Sequence, residues 1–116
     1  MADGFDVKID KRSDFAILRT DGYVNNLGGE KIGEAADSLM KEGIINLIIN
    51  FEKSTVVNSI GISILIEVIE KLVDNGGKII FSNLTKTIAK TFNIMGLTQF
   101  AEICETEADA VASISG

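Results

Sequence analysis

Apolar and polar residues alternate with a period of two through Phe5, Val7 and Ile9, which predicts a strand over Phe5–Asp10 with one wet face. Asp14–Thr20 reads as a second strand with Phe15, Ile17 and Leu18 turned inward, and Lys11–Asp14 as the turn of an antiparallel hairpin. Thr20–Gly29, rich in Gly and Asn, reads as a loop. The period then lengthens. Ile32, Ala35, Ala36, Leu39 and Met40 recur at helical spacing, marking one face of a helix that ends near Gly43. Ile45–Phe51 is nearly continuous Ile and Leu, as in a strand covered on both faces. An apolar helix follows over Ser59–Asp74, stopped by Asn75-Gly76-Gly77, where glycine suits the left-handed closing position. Lys78–Phe81 is a short strand; Leu84, Ile88, Ala89, Phe92 and Met95 mark a third helix ended by Gly96. Phe100–Cys104 is the last strand, and Thr106 caps a final helix with Glu107 and Asp109 in its first turn.

This β-β-α-β-α-β-α-β-α order predicts an α/β fold: one small domain over residues 1–116, with a mixed central β-sheet of about five strands and about four helices. The chain contains no proline and no linker-like or repeated segment.

On a helical wheel, Ile62, Leu65, Val68, Ile69, Leu72 and Val73 of Ser59–Asp74 share one wide arc, the expected buried face. Ser59, Ser63, Glu67, Glu70 and Asp74 fall opposite, with Ile60 on the wet side at the first turn and Ile66 at the margin of the core arc. Asn58 or Ser59 can cap this helix, and its free N–H groups and dipole favour an anion, including a phosphate carried by the serine. Gly61 in the first turn costs up to about 1 kcal/mol against alanine, which points to something approaching the backbone closely there.

Composition narrows the chemistry. There is no histidine, so the commonest general base and metal ligand is missing, and no nucleophile–base pair or phosphate-binding glycine motif is present. No cofactor or metal site is expected. Asp3, Asp6 and Asp10 lack the glycine and glutamate of a calcium loop and read as solvated strand edges. The single Cys104 reads as a small buried hydrophobe. The net charge of −6 and the scattered basic residues argue against nucleic acid and anionic membrane surfaces. No apolar run reaches the roughly 18–20 residues needed to span a bilayer, and MADGFDVKID lacks a signal-peptide pattern, so a cytoplasmic protein is expected.

The run Val56-Val57-Asn58-Ser59-Ile60-Gly61-Ile62-Ser63 resembles the D-S-S-G-L-G signature of the STAS domain, the family named for sulfate transporters and anti-sigma-factor antagonists. Asn58 stands at the Asp, Ser59 at the first Ser, Ile60 at the second, Gly61 matches, Ile62 replaces Leu and Ser63 the last Gly. Thr20-Asp21-Gly22-Tyr23-Val24-Asn25 is similar to the family's G-E/D-L-D turn, with Asn25 at its second acid, and Ile94-Met95-Gly96-Leu97 to its late G-L segment. The element order is the family's over almost the whole chain. Both family acids are amides here, which keeps shape and capping ability but removes charge.

The resemblance implies an anti-sigma-factor antagonist, not an enzyme, that binds an anti-sigma factor acting as a serine kinase. Phosphorylation at Ser59 would switch that binding off. The implied partner-binding set is Asn25, Asn58, Ser59, Ile60, Ser63, Ile66, Glu67 and Glu70. The alternative is a constitutive STAS adaptor of a lipid transporter or signalling assembly, not phosphorylated.

Overall fold

The computed structural model describes residues 4–115. In chain order it contains β1 (Asp6–Lys11), β2 (Ala16–Asp21), α1 (Asn26–Lys41), β3 (Asn46–Lys53), α2 (Ser59–Asp74), β4 (Lys78–Ser82), α3 (Lys86–Ile94), β5 (Glu102–Cys104) and α4 (Glu107–Ser115), with a single 3-10 turn at Leu97–Gln99 between α3 and β5. The strands form one five-stranded sheet in the order β1-β2-β3-β4-β5. Only β1–β2 is antiparallel; the other three pairs are parallel, so the expected mixed sheet is present.

Because spatial order follows chain order and crossovers are right-handed, α1, α2 and α3 must all land on one face. They do. Leu47, Ile49 and Phe51 of β3, with Ile79 and Phe81 of β4, pack against Ile32, Ala36 and Leu39 of α1, the buried arc of α2, and Ile88 and Phe92 of α3. Phe51, Phe81 and Phe92 meet edge to face, with ring centroids 5.1–6.1 Å apart. The intervening side chains point the other way: Ile17, Ile48 and Ile80 join Phe15 and Ala110 in a smaller cluster under α4. Period-two alternation in doubly covered strands thus builds both cores.

Helix ends follow their sequence signals. At the end of α2, Gly76 adopts φ 81° and the N–H groups of Gly76 and Gly77 donate to Val73 and Leu72 carbonyls (2.9 and 2.8 Å), the left-handed closing motif expected there. Thr106 Oγ1 accepts from Asp109 N (3.1 Å), as a cap of α4.

Four local expectations are corrected. Thr20–Gly29 is not loop throughout: α1 begins at Asn26, and Gly28 and Gly29 lie buried in its first turn. Those glycines answer to crowding, since a Cβ on Gly28 would lie 2.6 Å from the Tyr23 carbonyl oxygen and one on Gly29 3.0 Å from Ile64 Cδ1. Val73 is 38% exposed: the buried arc of α2 ends at Leu72. Met95 and Phe100 are exposed rather than core: α3 stops at Ile94, and the 3-10 turn buries Leu97 instead. Cys104 is only partly buried, packing against the smaller cluster, and burial with the nearby Glu102 carboxylate pushes its thiol pKa up. Asp3 lies outside the described residues.

Arg19 of β2 anchors α4. Its guanidinium donates two bonds to Glu107 (both 2.9 Å), which also accepts from Asn50 Nδ2 (2.9 Å), and it lies 3.2 Å from Asp10. These donors hold the Glu107 carboxyl below its ordinary pKa, outweighing desolvation. The folded-state pKa is the lower one, so the stabilisation is complete above the ordinary value of 4.5 and fades as pH falls through the folded value. Glu107→Gln is expected to cost about 1 kcal/mol at neutral pH, a bidentate but partly solvated pair, and progressively less below about pH 4.5. Urea unfolding of both proteins across pH 3–7 checks it, and a gap constant with pH would exclude this account.

Candidate functional site

The sheet's C-terminal edge, where open α/β sheets present binding groups, is shaped by two loops bonded to each other. Beyond the last β2–β3 pairs, Gly22 N donates to Lys53 O (3.0 Å), Val24 N to Val56 O (2.9 Å) and Asn58 N to Val24 O (3.1 Å). Val24 and Val57 thereby form an isolated parallel bridge. Ser54, fully buried, anchors the start of the second loop: its hydroxyl lies 2.7 Å from Thr20 Oγ1, and its N–H donates to Phe51 O (2.9 Å). The effect is to seat the starts of α1 and α2 side by side.

Each helix is capped by the same chemistry. Asn25 Oδ1 accepts from Gly28 N (3.1 Å), and its carbonyl accepts from Gly29 N (2.8 Å). Asn58 Oδ1 accepts from Gly61 N (2.8 Å), and its carbonyl from Ile62 N (3.0 Å). The close approach inferred at Gly61 comes from within the chain: a Cβ there would sit 2.1 Å from the Val24 carbonyl oxygen. Asn58→Ala is expected to cost about 1 kcal/mol by orphaning the Gly61 N–H, whereas Asn58→Asp keeps the cap and gains a few tenths from the dipole. Urea midpoints of the two variants would rank them, and an equal loss in both would discount the cap.

Ser59, the first residue of α2, is exposed, and its carbonyl accepts from Ser63 Oγ (3.1 Å). Neither α1 nor α2 has an acid in its first turn, so two adjacent positive helix ends lie uncompensated near this hydroxyl. The surroundings favour added negative charge locally. Along α2, Ile60 is 53% exposed, Ser63, Glu67 and Glu70 are exposed, and Ile66 is half-buried. Asn25 and Asn58 are half-buried caps joined through the Val24 bridge, so the structure brings Asn25 beside the α2 residues although 33 positions separate it from Asn58.

Three residues at this end escaped the sequence reading. Tyr23, Leu27 and Val56 are about half exposed, and with Ile60 each stands two residues from a capping asparagine, Asn25 or Asn58, giving this end an apolar surface. Tyr23 and Val56 line one shallow depression with Lys53 and Thr55. The available signal was the occurrence of large apolar residues inside a Gly/Asn-rich stretch, off the core periodicity. A separate cavity of about 190 Å³ lies on the α4 side of the sheet, lined by charges of both signs from Asp6, Lys8, Arg19, Asp21, Glu52 and Lys53. It shares Lys53 with the Tyr23–Val56 depression but includes no residue of α2. Among the described residues, no helix is long and apolar enough to cross a membrane, and no three acidic or Cys side chains converge as metal ligands.

Comparison with solved structures places the fold. The chain is similar to the anti-sigma factor antagonist SpoIIAA in its unphosphorylated form (21% identity, 97% of this chain and 99% of that one, TM-score 0.76). It is also similar to the Bacillus cell fate determinant SpoIIAA in the phosphorylated form (22%, 96% and 99%, TM-score 0.72). An anti-sigma factor antagonist from Mycobacterium paratuberculosis superposes comparably (15%, 97% and 96%, TM-score 0.81). At these identities the likeness is one of fold. The family itself rests on a match of residues 6–110 to the STAS domain, nearly the whole length of the chain. With that match, and with the paired helix starts and sheet order just described, the chain belongs to the STAS domain family.

Proposed function

We propose that this STAS domain is an anti-sigma-factor antagonist that captures an anti-sigma factor, itself a serine kinase, and is released when Ser59 is phosphorylated. The observation that carries the reading is the exposed Ser59 at the start of α2, beside a second helix start and bordered by the exposed Tyr23, Leu27, Val56 and Ile60. An apolar rim beside a modifiable hydroxyl is suited to docking a protein. The solved SpoIIAA structures, one unphosphorylated and one phosphorylated, support it by likeness of fold.

In this mechanism the partner covers the starts of α1 and α2 and the stripe Ser59, Ser63, Glu67 and Glu70. A phosphate on Ser59 adds about −1.5 to −2 charges. The helix start accepts that charge, so the domain stays folded; the docked interface does not, because the dianion must be desolvated against the partner. Mapping phosphosites on the protein isolated from its native cells, with and without the kinase partner, tests the reading. Phosphate on Ser59 that vanishes with the partner supports it; phosphate elsewhere only, or partner-independent, overturns it.

A second reading has its own observation. Asn25 and Asn58, where the family signature carries acids, serve here as neutral caps. A constitutive adaptor that is never phosphorylated needs only those caps. No phosphate on Ser59 under any growth condition selects it.

A further inference from the structure

Beyond its first turns, α2 borders a groove that shares Ile66 and Glu70 with the proposed partner-binding face but adds a wall of its own after α3. Ile69 and Leu97 form its buried floor, Ile66 is half-buried, and Met95, Phe100 and Glu70 complete the lining around about 90 Å³. Its origin is local. Gly96 takes φ 86° after α3, and the 3-10 turn at Leu97–Gln99 drives Leu97 into the core. Ile94, Met95 and Phe100 are left 71%, 51% and 60% exposed within seven residues of chain. Met95 and Phe100 line the groove itself, so an apolar surface of that size left without a partner is an interaction surface in waiting.

The charge beside the groove says what fits it. Glu70 lines it, and Glu67 stands one turn earlier on the same helix. Neither has a basic partner within ion-pair distance among the described residues. Lys71 is drawn away to Asp37 (3.5 Å), and Lys78 lies with Glu102 in the separate depression on the other side of Phe100. A second copy of this chain, with 17 acids against 11 bases, is a poor electrostatic match to an acidic rim.

We infer that this groove docks a basic amphipathic helix of another protein, one apolar side chain entering between Ile66 and Phe100 with Lys or Arg beside it facing Glu67 and Glu70. Ile66 and Glu70 are seven and eleven residues beyond Ser59, about 10 and 16 Å along the axis. At physiological salt a charge on Ser59 is largely screened over the longer distance. A helix confined to the groove therefore binds whether or not Ser59 is phosphorylated, whereas a partner that also covers Ser59 is released, so a failed groove leaves the proposed switch standing.

The test is a titration of the full ¹⁵N-labelled chain with three 18-residue peptides: an amphipathic Leu/Lys helix, a Leu/Glu helix of the same pattern, and a scrambled Leu/Lys sequence. Expected are amide shifts concentrated at 66–70 and 94–101 with the amphipathic Lys peptide alone. Phe100→Ser should weaken that binding at least tenfold, and Glu70→Lys should weaken it while admitting the Leu/Glu helix. Ser59→Asp should leave it unchanged within twofold. Equal binding of the scrambled peptide, shifts elsewhere on the acidic surface, indifference to Phe100→Ser, or loss in Ser59→Asp would each overturn the proposal. So would a dimer in sedimentation that Phe100→Ser dissolves, which would assign the groove to a second copy.

Discussion

Ser59→Asp is expected to weaken capture of the kinase partner by about 100-fold, or about 2.7 kcal/mol, while the domain itself becomes no less stable. The two effects have opposite signs for one reason. Within the folded chain, a carboxylate at the first residue of α2 meets uncompensated N–H groups and gains about 0.3–1 kcal/mol from the helix end. Against a docked partner the same charge loses its water, and the exposed Tyr23, Leu27, Val56 and Ile60 around it offer no counter-charge. Calorimetric titration of the partner and urea unfolding of the variant separate the two. Ser59→Ala should bind as wild type and resist release by the kinase. Undiminished affinity of the Asp variant would reject the switch; a collapse in its stability would reject the idea that the helix start tolerates an anion.

Gly61→Ala is expected to destabilise the domain by about 2–4 kcal/mol, although intrinsic helix propensity favours the change by up to about 1 kcal/mol. The new methyl would lie 2.1 Å from the Val24 carbonyl oxygen, which is backbone and cannot rotate away. Relief requires opening the Val24–Val57 bridge and the hydrogen bonds of Val24 N and Asn58 N, at about 1 kcal/mol each. Because that bridge holds the starts of α1 and α2 together, partner binding should fall with stability. Gly33→Ala is the internal control. Its Cβ would meet only Val68 Cγ2 at 3.9 Å, so propensity wins and the variant should gain about 0.5–1 kcal/mol. Urea midpoints of the pair decide the matter; a shift of the same sign in both would show that helix propensity, not loop contact, governs Gly61.

The contrast between these glycines shows how far local reading reaches. Residues 59–74 announce α2 to the residue, because an apolar arc, a capping Asn and a closing Asn-Gly-Gly all act within one or two turns. The same logic misplaced the start of α1. Gly28 and Gly29 carry a loop-like composition, but they are helical glycines made necessary by the Tyr23 carbonyl and the Ile64 side chain. Close approach at Gly61 was legible; its identity, Val24 from 37 residues away, was not. Phe100 was read as strand because its apolar character is visible, while the left-handed Gly96 and the 3-10 turn that leave it exposed place Leu97, not Phe100, in the core.

By itself, then, the sequence determined the order and kind of the elements, the wet stripe of α2 from Ser59 to Glu70, and the capping chemistry of its start. Each of these is a contest among neighbours a few residues apart. Only the tertiary structure decided that α1, α2 and α3 share one face with α4 alone on the other, and that Asn25 lies beside Asn58. The same holds for the gathering of Tyr23, Leu27, Val56 and Ile60 around one serine. Those arrangements rest on strand pairing and backbone bonds between segments more than thirty residues apart, and such bonds join N–H and C=O groups that every residue type here carries, leaving no mark in the side-chain pattern.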